Sequence, residues 1–298
     1  MILCLGEALV DLICERPVAN LTDADSFTPH FGGALANVAV AAARAGADSG
    51  LAGAAGDDDW GRWLCRRLES EGVDLRFFEL LEGELTPIAF ASVDSDGEPS
   101  FQIYGDAIAS AVEAVAPRLE PAIDAATAFV YSSTTLASPG ERKATLRARA
   151  LALERGVRVC LDPNIRPNRW GGDARPAAAA SRALVDGSFV VRTNREEALA
   201  IAEVDDPREA ASVLAEMGAE VAVVTLGAEG AVIRGAVEAE APSPQVEVVS
   251  TLGAGDAFMG TFVAGLAHLG WDATRAAEAL EPALQVAAEA CTRYPALD

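Results

Sequence analysis

The chain has 298 residues, 51% of them hydrophobic, and a formal net charge of −22. That is long enough for one large α/β domain with its own core, and too acidic to suit a nucleic-acid backbone, so DNA and RNA are not expected as partners. Five cysteines (Cys4, Cys14, Cys65, Cys160 and Cys291) are odd in number and show no metal-ligand spacing, so they read as reduced thiols. No basic leader precedes the first apolar run and no charge-free stretch reaches membrane-spanning length, which predicts a cytoplasmic protein without a membrane partner.

In chain order, Ile2–Leu5 reads as a strand, residues 27–30 as a short extended piece before Gly32-Gly33, and 37–45 as a helix. A strand at 51–55 and a helix at 60–70 follow. The runs 87–93 and 100–104 flank Asp94-Ser95-Asp96-Gly97, a hairpin signal. Strands at 128–132, 157–161, 189–192 and 221–226 then alternate with helices at 142–155, 196–202 and 208–217. Two Ala-rich helices, 257–269 and 273–292, close the chain. This rhythm predicts an α/β fold: a central, mostly parallel sheet with helices on both faces, one domain over 1–298. The off-rhythm segments around 13–31 and 86–105 predict a small β-sheet lid.

Several chemistries are poorly supported. The sole lysine, Lys143, follows no glycine-rich phosphate loop, which excludes P-loop and protein-kinase architectures. Gly6 stands alone where a dinucleotide site needs three glycines. With only His30 and His268 and no Gly-x-Ser-x-Gly elbow, a serine hydrolase has little to stand on.

The segment Ser250-Thr251-Leu252-Gly253-Ala254-Gly255-Asp256-Ala257-Phe258 runs from an extended piece into a helix. Gly253, Ala254 and Gly255 let successive N–H groups converge on an anion at the positive end of the helix dipole, and Asp256 beside them is placed to take a proton from an attacking hydroxyl. Alone, it also reads as an ordinary helix start with a well-placed acid. A second segment, Gly32-Gly33-Ala34-Leu35-Ala36-Asn37, opens a helix on small residues that admit a ligand close to the backbone, with Asn37 able to bond hydroxyls.

Together the two segments resemble the paired signatures of the PfkB family of carbohydrate kinases, and the resemblance extends over nearly the whole chain. It implies a ribokinase-like fold and transfer of the γ-phosphoryl group of ATP to a sugar hydroxyl, with Asp256 as base and magnesium as cofactor; a monovalent cation is left open. By matching motifs it assigns Asp11, in Gly6-Glu7-Ala8-Leu9-Val10-Asp11-Leu12, to sugar hydroxyls, with Gly32, Gly33 and Asn37 beside it. Phe101 and Tyr104 of the lid join them. Leu161-Asp162-Pro163-Asn164-Ile165-Arg166 implicates Asn164 near the phosphates and Arg166 near the substrate. Asn194 and Glu197, in Thr193-Asn194-Arg195-Glu196-Glu197, are implied to order magnesium and phosphate through water, although the same residues read as a helix cap. Thr225, Gly227 and Gly230 resemble the adenine-nucleotide loop.

Glu7 and Ala34-Leu35-Ala36-Asn37-Val38 resemble the fructokinase branch, which implies fructose and, most naturally, its carbon-6 hydroxyl. Gly105 stands where 2-keto-3-deoxygluconate kinases carry an arginine, which weakens the case for a sugar acid. That kinase, a nucleoside kinase and a non-catalytic sugar-binding regulator are the alternatives. A homodimer joined through the lid, burying Phe90 and Phe101, is the expected assembly.

Overall fold

The computed structural model describes every residue except 96–98, 105–106, 295–296 and 298; Gly105 and part of the hairpin turn therefore lie outside the described residues. The strands are β1 (Ile2–Leu5), β2 (Leu9–Ile13), β3 (Thr28–Gly32), β4 (Ser49–Gly56), β5 (Asp74–Leu81), β6 (Ile88–Val93), β7 (Pro99–Tyr104), β8 (Ala128–Tyr131), β9 (Arg158–Leu161), β10 (Val190–Asn194), β11 (Val221–Thr225), β12 (Ala231–Gly235) and β13 (Ala239–Ala241). The helices are α1 (Ala34–Arg44), α2 (Asp59–Ser70), α3 (Ala107–Val115), α4 (Leu119–Asp124), α5 (Pro139–Glu154), α6 (Arg175–Arg182), α7 (Arg195–Ala202), α8 (Pro207–Glu216), α9 (Ala254–His268) and α10 (Ala277–Ala290).

Nine strands form the main sheet in the order β13-β12-β11-β10-β9-β8-β1-β4-β5. Pairing is parallel from β11 through β5, and β12 and β13 add an antiparallel edge. Its central strands are apolar on both faces, as a sheet covered on both sides requires. One core joins Val190, Val221 and Val223 to Val38 of α1 and to Phe258 and Phe262 of α9. The other joins Val191 and Val224 to Val112, Ala148, Ile201 and Leu214 of the opposite helical layer. Among the described residues no helix is long and apolar enough to cross a membrane.

The predicted strands and helices of the main sheet are present, but β5, β12 and β13 are not apparent in the sequence. Of these, β5 alternates buried and exposed positions only irregularly, and β12 and β13 are short edge strands. The small sheet is four-stranded, ordered β3-β2-β6-β7. It begins before the expected 13–31 segment, because Leu9–Ile13 is itself one of its strands, paired antiparallel to β3 and parallel to β6. Asp11 thus sits within a ladder.

Candidate active site

A cavity of about 700 Å3 opens at the C-terminal ends of β9, β10 and β11, where parallel sheets gather their ligands. Its wall includes the turn before α9. Gly253 there has φ +78°, a left-handed conformation that glycine adopts without strain, and it turns the chain so that Ala254, Gly255 and Asp256 form the first turn of the helix and line the cavity, with Ala254 N–H donating to Thr251 O at 3.3 Å.

Asp256 is held from α1: Asn37 Nδ2 donates to its Oδ2 at 2.9 Å. The surrounding protein strips water from this carboxylate and pushes its pKa up to about 6; the Asn37 bond and the charges of Arg166 and Arg192 act in the opposite direction. It therefore stays ionised at neutral pH yet is a stronger base than a solvated aspartate. Asp11 lies in the same field, its pKa raised to about 7 by burial and by the charge of Asp256, with His30 and Arg166 opposing.

Of the residues singled out in the sequence, Asn164, Arg166, Asn194, Glu197, Thr225, Gly227, Gly230, Phe101 and the 253–256 turn all line this one cavity. Asn164 has φ +43°, an uncommon backbone for a non-glycine residue, just beyond the end of β9. Asn194 and Glu197 form a reciprocal cap: Glu197 N–H donates to Asn194 Oδ1 (2.8 Å) and Asn194 N–H to Glu197 Oε2 (3.0 Å). Glu197 Oε1 also accepts from Ile165 N–H at 2.7 Å, tying the Asn164 loop to α7.

Asp11, Gly32, Gly33 and Asn37 stand behind this wall, on the side of the small sheet. Gly32 closes β3 against the Asp11 carboxylate, and Gly33, φ +100°, lies against the Glu7 carbonyl; a side chain at either would collide. Tyr104 is not brought into the site. The ladder pairs Ala91 with Phe101 and Ile88 with Tyr104, and residues three apart on one strand point to opposite faces. Phe101 therefore shares a face with Asp11, Ala89 and Ile103, while Tyr104, 53% exposed, packs edge-on against Phe90 on the other face. Phe101 thus lies on the inner face of the small sheet, and Leu12, Ile88, Phe90 and Tyr104 share the outer one.

Two features of the cavity have no counterpart among the sequence motifs. Leu284, Ala287 and Cys291, at the end of the chain, join Val246 and Val248 as the apolar end of the cavity, which no local motif announces. Arg192 also lines it; its only signal in the sequence is a charged residue inside an otherwise apolar strand.

The sequence pattern of the pfkB family carbohydrate kinases matches residues 1–297. The chain is 32% identical to an aminoimidazole riboside kinase of Salmonella typhimurium over 98% of its length and 89% of that protein. It is also 32% identical to fructokinase-1 of Oryza sativa subsp. japonica over 88% of its length and 82% of the relative. A Vibrio cholerae O395 fructokinase double mutant, solved with fructose, ADP and potassium ion, superposes with a TM-score of 0.85 at 27% identity, covering 99% of this chain and 93% of that one. With a sheet, a helix-start turn and a matched sequence pattern that agree along its length, this chain belongs to the pfkB family of carbohydrate kinases and is a phosphotransferase acting on a sugar hydroxyl.

Proposed function

We propose that the chain transfers the γ-phosphoryl group of ATP to the carbon-6 hydroxyl of fructose, with Asp256 as general base. The supporting observation is a carboxylate held by Asn37 in the first turn of α9, a turn whose residues 253–256 line the cavity. In this reading the sugar lies between Asp11, Asn37 and Phe101, and its hydroxyl gives its proton to Asp256 as its oxygen attacks the γ-phosphorus of ATP and the bond from that phosphorus to the bridging oxygen breaks, releasing ADP. The amides of the 253–255 turn stabilise the charge that develops on the phosphoryl oxygens. ATP lies along the strand ends, its phosphates near Asn164 and Asn194 and its base near Thr225, Gly227 and Gly230.

Among the described residues no three acidic, histidine or cysteine side chains are grouped to hold a metal. That fits magnesium, which takes most of its ligands from phosphates and water and needs few carboxylates; Glu197 and Asn194 would hold it through water. When bound there, the ion would neutralise charge on the phosphates. The reading includes a homodimer joined through the small sheet, and a cytoplasmic location.

Fructose is favoured by the fructokinase-like Glu7 and 34–38 segments together with the fructokinase relatives. The second reading is an aminoimidazole riboside, supported by the Salmonella relative and by Phe101, whose ring offers a heterocycle a face. ADP formation with Mg-ATP against fructose, aminoimidazole riboside, 2-keto-3-deoxygluconate, ribose and a no-sugar blank separates them. Fructose is expected to exceed the others in kcat/KM by about tenfold or more; a riboside preference of that size would reassign the acceptor.

A further inference from the structure

An arginine in a strand covered on both faces is costly unless it is paired. Arg192 of β10, 8% exposed, is such a residue. Its Nη1 donates to Asp162 Oδ2 at 3.3 Å and its Nη2 to Thr225 Oγ1 at 2.9 Å, while its Nε and Asp162 Oδ1 are buried without a hydrogen-bond partner. The guanidinium lies 5.9 Å from the centre of the Phe258 ring and lines the cavity.

Gly255 gives an independent view of the same group. It lies inside α9 and has no positive φ, so its backbone would accept alanine. A methyl group there would nonetheless stand 2.7 Å from Nη1 and 2.8 Å from Nη2 of Arg192. A free guanidinium would swing aside, but this one is tied to β9 and β11 through Asp162 and Thr225.

We propose that Arg192 is a positioning residue of phosphoryl transfer: packed against Gly255 and anchored by Asp162 and Thr225, it fixes the 253–255 amides and keeps a positive charge behind the transferring group. This rests on the assignment of that turn to the phosphoryl group. Asp256 is faced by Asn37 from α1, by Arg166 from the loop after β9, by Arg192 from β10 and by Glu197 from α7, and it shares its field with Asp11 on β2 and Asp162 after β9. Both arginines favour the ionised carboxylate. Loss of Arg192 therefore lets the protonated, inactive form persist to higher pH.

The test is a cycle of Arg192→Met, Arg192→Lys, Gly255→Ala and the Gly255→Ala/Arg192→Met double variant. Arg192→Met is expected to lower kcat roughly 100-fold, to leave the sugar KM within about threefold, and to move the acid limb of kcat upward by about one pH unit. Arg192→Lys, which keeps the charge without the two-pronged anchor, leaves the limb in place and recovers part of kcat. Gly255→Ala lowers kcat in the native background and adds nothing in the Arg192→Met background. A kcat loss with an unmoved acid limb, or an equal Gly255→Ala penalty in both backgrounds, would reduce Arg192 to a support of the sheet. The same cycle read as ADP affinity and thermal midpoint needs no sugar turnover. Coupling seen there without turnover of any tested sugar supports Arg192 and overturns only the choice of acceptor; turnover without coupling overturns the proposal for Arg192.

Discussion

The two sides of the proposed site are assembled in different ways. At the start of α9, the acid and the amides come from residues 253–256, four neighbours whose geometry is set by one left-handed glycine and one helix. On the side proposed for the sugar, Asp11 comes from β2, Asn37 from α1 and Phe101 from β7, and Asp11 and Phe101 share a face only when the β2–β6 and β6–β7 ladders are in register. A contiguous turn keeps its chemistry through small shifts of the fold. A ladder does not, because a slip of one residue sends every side chain to the other face.

The difference makes the sugar side the place where substitutions should divide most sharply by strand parity. Asp11→Ala removes a buried acid from the inner face. It is expected to lower kcat/KM for the sugar by roughly 10- to 100-fold, the range of a lost charge-assisted hydrogen bond, with ADP affinity unchanged by calorimetry. An equal loss of ADP affinity would mean that the two ends are not separable. Smaller effects divide Phe101 from Tyr104: Phe101→Ala should raise the sugar KM by about fivefold or more, while Tyr104→Ala should stay within about twofold, since its ring packs on Phe90 away from the cavity. Steady-state kinetics decides, and a larger effect at Tyr104 would contradict the pairing of Ile88 with Tyr104.

The same contrast explains what is legible in the sequence. The middle of the parallel sheet is legible because β4, β8, β9 and β10 are apolar runs each followed by a helix, and the turn before α9 because glycine, glycine and aspartate sit together at a helix start. Phe101 and Tyr104 invite grouping by their proximity in sequence, although strand periodicity sets residues three apart on opposite faces. Leu9–Ile13 is not singled out as a strand in the sequence, because its role depends on pairing with β3 and β6, more than a dozen residues away. Arg192 is visible only as an anomaly. Its meaning comes from Asp162, Thr225 and Gly255, which three other segments deliver.

The proposed base is best probed by Asp256→Asn beside the native chain. Burial raises the carboxylate from 3.8 to about 6, so its ionisation costs folding stability above about pH 6, and that cost is absent below pH 3.8. A neutral amide of the same shape removes the cost and still accepts from Asn37, but it cannot take a proton. At neutral pH, sugar-dependent ADP formation is expected to fall by about 1,000-fold or more, while sugar and ADP affinities hold and the thermal midpoint is equal to or higher than the native value. An Asp256→Asn enzyme that turns over at the native rate would show that the proton goes elsewhere, and would contradict the assignment of Asp256 as base.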